Sequence, residues 1–153
     1  MASGSEEEGL RGAKACGRLH PEFKDGNEVE TVAFAFDTIT DYDCMAIYDR
    51  DMSGLTKHDR RACALLKQAG KNAGVDLPYS LLFAGASDAA ALTQAGIPSA
   101  CFAAMYPGPP KYYHTRDDKV DILNLKTIEK GVHIALEAAF LFDEQGLKEK
   151  YDD

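Results

Sequence analysis

Between Glu30 and Met105 the chain alternates two side-chain rhythms. Runs of β-branched, aromatic and small apolar residues fall at Glu30–Asp37, Cys44–Tyr48, Tyr79–Ala84 and Ser99–Met105. Unbroken apolar runs of this length read as short strands buried on both faces. Between and around them, apolar or small residues recur every three or four positions, which is the spacing of one helix face. The pattern predicts helices over Glu8–Leu19, Thr56–Ala73, Asp88–Ala95 and Asn124–Phe142. Thr56 is placed to cap the second, Gly74 and Gly96 to stop the second and third, and Leu125, Ile128, Val132, Leu136 and Phe140 to carry the last one inward. Strands alternating with helices are buried best when helices layer onto a sheet. The expected fold class is therefore α/β, a three-layer α/β/α arrangement on a mostly parallel or mixed sheet. No repeat, linker or low-complexity tract divides it, so residues 1–153 are read as a single domain.

At 153 residues such a domain buries roughly two-thirds of the surface of its unfolded chain and needs no disulfide or metal merely to fold. The 25 acidic and 17 basic side chains leave a net charge of −8, which argues against a nucleic-acid surface and an anionic membrane. The longest apolar stretches, such as Ser99–Met105, fall well short of the roughly 20 residues of a spanning helix. Cys16, Cys44, Cys63 and Cys101 are far apart and without a C-x-x-C, so they read as free thiols, most of them buried. Met1–Ser5 lacks a basic segment followed by an apolar core, and a cytoplasmic location is the expectation.

Four stretches could carry chemistry. Glu6-Glu7-Glu8 stands at a turn entering a helix, where neighbouring carboxylates point in different directions. One can bind a cation while the next takes a proton from water; equally, three acids at a helix start favour the helix dipole and sit in solvent. Asp37 closes an apolar strand, and in open α/β sheets ligands sit beyond the carboxyl ends of strands; the alternative is a carboxylate tied to a turn through Thr38 or Thr40. Asp51 is a rival strand-end acid, read as part of a solvated turn. His114, in Tyr112-Tyr113-His114-Thr115 on a Pro-rich loop, can reach a cleft beside a phenol able to donate to an oxyanion, or simply pack on the tyrosines. His20, His58 and His133 read as surface or packing residues. Gly85-Ala86-Ser87-Asp88-Ala89 falls one residue short of a G-x-S-x-G nucleophile elbow, and a helix N-cap is the alternative for Ser87 or Asp88.

Taken in order, these segments resemble those of M28-type zinc aminopeptidases. Ser5-Glu6-Glu7-Glu8-Gly9-Leu10-Arg11-Gly12 is similar to the family's G-E-E-x-G-L-x-G-S segment. Tyr113-His114-Thr115 with Asp117 or Asp118 resembles Y-H-T-x-x-D, and Ser87-Asp88 followed by Gly96-Ile97-Pro98 resembles S-D-H-x-x-F and then G-I-P. The resemblance implies a cleft with two zinc ions and removal of an N-terminal amino acid from a peptide substrate. Residue by residue, it implies Glu6 as general base, Glu7 and His114 as ligands of one zinc, Asp37 as ligand of the other, and Tyr113 as the phenol steadying the tetrahedral intermediate.

Ala89 stands where the family has the histidine of S-D-H. The resemblance also places a first histidine ligand and a bridging aspartate upstream of the glutamate pair, where this sequence has only five residues. The chain therefore reads as the C-terminal part of a zinc-dependent exopeptidase domain, with an incomplete fold and no activity on its own. An uncovered sheet edge would invite a homodimer. A non-catalytic, self-associating α/β module and a serine hydrolase using Ser87 are the other readings.

Overall fold

The structure is a computed structural model, and it describes residues 4–51, 55–83, 85–106 and 112–151. Among the described residues there are four α-helices, α1 (Arg11–Leu19), α2 (Arg60–Asn72), α3 (Asp88–Gln94) and α4 (Leu125–Gln145), and five strands, β1 (Ala33–Ile39), β2 (Met45–Asp51), β3 (Thr56–Lys57), β4 (Tyr79–Leu82) and β5 (Ser99–Ala104); β1 to β3 follow one another, and from α2 onward helices and strands alternate. The sheet is mixed. β5 lies between β1, which runs parallel to it, and β2, which runs antiparallel. β2 in turn pairs with β4 in parallel and with β3 antiparallel. Among the described residues β5 is the only partner of β1, so β1 is an edge strand.

The central strands show why apolar runs without alternation were needed. On β2, Met45 and Ile47 face one side and Ala46 and Tyr48 the other; on β5, Ala100, Phe102 and Ala104 face the first side and Cys101 and Ala103 the second. The first side meets α2 and α4 through Leu65, Leu66, Ile134, Ala138 and Leu141. The second meets α3 through Ala89, and α1 packs onto α3 around Ala13, Ala91, Leu92 and Ile97. This second contact is close, since a Cβ at Gly17 would overlap that of Ala95. The three layers are thus helix, sheet and helix, as the sequence predicts.

Two local expectations are corrected. Thr56 lies in β3, and α2 starts later, capped by Asp59, whose carboxylate accepts from the Arg61 and Ala62 amides; Asp is as good an N-cap as Thr or better, and it stands nearer the helical periodicity. The inward face of α4 is Thr127, Gly131, Ile134, Ala138 and Leu141, whereas Leu125, Val132, Leu136 and Phe140 are exposed. Ile134, Ala138 and Leu141 pack there into the core shared with β2, β5 and α2, and Gly131 faces Ile39 and Phe102, which stand at ordinary van der Waals distance from where it would carry a Cβ. All four cysteines are free, and Cys63 and Cys101 are buried; burial pushes the Cys63 thiol up to about 12. No helix among the described residues is long and apolar enough to cross a membrane.

Candidate functional site

Because β1 and β5 run parallel, their carboxyl ends lie side by side. The Ala104 carbonyl at the end of β5 accepts from the Thr40 and Asp41 amides, 3.0 and 2.7 Å away, fastening the two ends together. Beyond them opens a cleft of about 390 Å³. Asp37 enters it from β1, just before a register break between Asp37 and Ile39, and such bulges re-aim side chains beside functional sites. Thr38 Oγ donates to Asp37 Oδ1 at 3.1 Å. Glu6 and Glu7 reach the cleft from the turn before α1, and Tyr113 and His114 reach it from the loop between β5 and α4.

The five residues predicted from sequence therefore line one cleft. His114 Nε2 stands 2.9 Å from Glu7 Oε2, and the His114 ring stacks on Tyr113 with centroids 4.0 Å apart. Thr40 Oγ and the Tyr112 hydroxyl, 2.8 Å apart, hold the base of the loop. The backbone here is strained. Of the non-glycine residues with positive φ among those described, Ser5, Leu10, Thr38 and His114 flank or belong to the site, and only Leu55 lies elsewhere. Such residues cost of order 1–3 kcal/mol each and cluster where geometry serves function.

Glu6 carries the electrostatic signature of the cleft. Burial, then the neighbouring Asp37, Glu7 and Asp88 carboxylates, raise its pKa to about 7, with His114 opposing. Tyr113 is shifted up by burial and by Glu7, Asp37 and Glu6. A raised folded-state value has a definite sign. From about pH 4.5, the ordinary value, to about 7, the folded chain keeps a proton that the unfolded chain has lost, so this group makes stability fall as pH rises through that window. In chelator-containing buffer the melting temperature of Glu6→Gln, measured against the unaltered chain, should climb over the same window and level off above it. A pH-independent difference would refute the perturbation.

Residues expected outside the site are indeed elsewhere, but not all as expected. His20 pairs with Glu22 at 2.9 Å and His133 lies 3.6 Å from Glu137 on α4. Asp51, read as part of a solvated turn, is instead 1% exposed, and His58, read as a surface or packing residue, is a packing one at 5%. Asp51 Oδ1 is 3.2 Å from His58 Nε2, and Oδ2 accepts from the Ser87 amide at 2.7 Å and the Ser87 hydroxyl at 3.1 Å. Strand β2 runs three residues further than its apolar run suggested, which carries Asp51 inside. Ser87 occupies the N-cap position of α3 without a side-chain cap bond. Its hydroxyl gives its proton to a carboxylate whose other oxygen holds the imidazole, an arrangement that ties a loop rather than activating a nucleophile.

A model of Peptidase family M28 matches residues 1–139. The chain belongs to peptidase family M28. Solved structures agree with the fold of this M28 chain. An aminopeptidase from Aneurinibacillus sp. strain AM-1 is 25% identical with a TM-score of 0.67, over 92% of this chain and 32% of that one. The zinc aminopeptidase BSAP from Bacillus subtilis is 20% identical with a TM-score of 0.66, over 99% and 36%. An Acidobacteriales bacterium glutaminyl cyclase is 22% identical with a TM-score of 0.66, over 90% and 47%, so the fold alone does not fix the chemistry. The chain spans about a third of the length of the two aminopeptidases. No curated protein sequence matches it.

One of the structural relatives, BSAP, is a zinc aminopeptidase. Glu7 and His114 offer one oxygen and one imidazole nitrogen, the right donor chemistry, within reach of one ion. Among the described residues, however, no group of three or more His, Cys, Asp or Glu is placed to hold a metal, and a catalytic zinc takes three protein ligands. The donors do not complete a zinc centre.

Proposed function

We propose that this chain carries the C-terminal share of a zinc-dependent exopeptidase centre acting on N-terminal peptide bonds, and that alone it does not turn over. In this reading Glu7 and His114 are donors to one cation and Asp37 to a second, each set short of a full complement. Glu6 is the proton carrier: a carboxyl group near neutrality can take a proton from water and return it to a leaving amine at the same pH. Tyr113 aims its phenol at the place where negative charge would develop on a carbonyl oxygen. The observation that carries the reading is the meeting of Glu7 and His114, 107 positions apart in sequence (114 − 7), at 2.9 Å in one cleft with Glu6 and Asp37.

The test is calorimetric titration of chelator-stripped chain with zinc chloride, alongside hydrolysis of leucine p-nitroanilide. One weak zinc site is expected, at least ~10-fold weaker in Glu7→Gln and His114→Ala, since loss of even an outer supporting residue costs that much, and hydrolysis no faster than buffer. Zinc affinity unchanged in both variants would remove the metal assignment, and turnover by the unaltered chain would remove the claim of inactivity.

A further inference from the structure

A second cavity, of about 380 Å³, opens on the α2 side of the sheet and shares no residue with the cleft. Arg50 of β2, Lys57 of β3, Arg60 in the first turn of α2 and Tyr79 of β4 line it. The β2–β3 ribbon explains why two of these cations meet. Asp51 and Thr56 stand opposite one another and turn toward α3, where Asp51 accepts from Ser87 and Gln94 Nε2 donates to Thr56 Oγ at 2.8 Å. Side chains alternate along a strand, so the neighbouring pair, Arg50 opposite Lys57, turns toward α2. Like charges directly opposite on one face of a ribbon repel.

Arg60 adds a third cation where a helix dipole favours acids. The first turn of α2 holds none, and the capping Asp59 is committed to Arg61. Among the described residues neither Lys57 nor Arg60 has an ion-pair partner, whereas Arg50 lies 3.6 Å from Asp49. Asp49 and Glu149 also line the cavity, which leaves three cations against two acids in a chain of net charge −8. Local choices that cost stability without a structural return mark places where something binds. We propose that this cavity takes a small phosphate monoester carrying an aromatic group. A dianion matches the two uncommitted cations, Lys57 and Arg60, and offsets the repulsion between Lys57 and Arg50; a guanidinium can hold two phosphate oxygens at once. Tyr79, 51% exposed, offers a ring for the aromatic group to pack on, and the volume is that of a small-molecule site. The site is independent of the peptidase reading, since none of its residues belongs to the cleft.

Phenyl phosphate is mostly dianionic at about pH 7.5. Titrated calorimetrically into the 153-residue chain at ~0.15 M NaCl, it should bind one to one with a dissociation constant of ~1 mM or tighter. Lys57→Gln and Arg60→Gln should each weaken binding at least ~10-fold, the loss of one charge-assisted hydrogen bond. Their circular-dichroism spectra should be unchanged, because both side chains are exposed. Lys57→Arg should retain binding. Inorganic phosphate should bind more weakly than its phenyl ester, by a margin that Tyr79→Ala erases. No saturation at ~10 mM, or an affinity indifferent to both glutamine variants, overturns the proposal. Equal affinity for inorganic phosphate and phenyl phosphate overturns the aromatic part. A phosphotyrosine pentapeptide that binds more tightly than phenyl phosphate overturns the small-molecule reading and assigns the cavity to a phosphorylated protein.

Discussion

Asp51→Ala should cost about 3–5 kcal/mol of folding free energy, since each buried polar group left without its partner costs about 1–3 kcal/mol and three lose theirs, the His58 ring and the Ser87 amide and hydroxyl. Proton accounting gives the reason. Ser99 Oγ donates to the Ala89 carbonyl at 2.9 Å, so in its 2.7 Å contact with Thr93 it must accept. The Thr93 hydroxyl, its one proton committed there, must then accept from His58 Nδ1, 3.0 Å away. His58 Nε2 faces the Asp51 carboxyl group, so the imidazole is fixed at both nitrogens. Alanine would leave Nε2 without its partner and the Ser87 amide and hydroxyl without their acceptor. In urea unfolding the midpoint should fall strongly with little change in slope. Asp51→Asn, which keeps an oxygen for Ser87, should cost less than alanine. A loss under about 1 kcal/mol for the alanine variant would show that the pair contributes little.

Phe102→Ala should cost a similar amount, about 3–5 kcal/mol, through the lost transfer free energy of the ring and the cavity left behind. Phe102 is 0% exposed, its ring centroid is 5.3 Å from that of Phe36, and it sits on β5 between β1 and β2 with α4 above it. The surrounding elements are rigid sheet and a helix already seated on glycine, so collapse into the hole is limited. Denaturant unfolding checks the value. Phe102→Leu, which fills most of the space, should recover more than half of the loss; no recovery would show that ring stacking rather than volume is at stake.

The layered fold was legible because β2 and β5 are apolar on both faces, a pattern that few environments other than a covered sheet can satisfy. The cleft residues were legible for a different reason. Glu6 and Glu7 stand in the turn before α1, Asp37 near the end of β1 and His114 in the loop after β5, outside or at the margin of regular elements, and the parallel pairing of β1 with β5 opens one cleft for them. The seat of α4 was not legible, because the helix has two apolar faces and its periodicity alone does not say which of them meets the sheet. Nor was the Asp51–His58 tie. Asp51 follows Asp49 and Arg50 in sequence, polar company that reads as solvent, and its partners His58 and Ser87 come from two other segments that only the fold brings to it.

The imidazole and carboxylate that meet in the cleft are suspended from opposite sides of the sheet. Glu7 hangs just before α1, in the coat built on α3, while His114 hangs from the loop leading into α4, in the coat shared with α2. Any slippage of one coat relative to the other would be registered as a change in this single separation, which makes the pair a built-in gauge of how firmly the two halves of the molecule are clamped together.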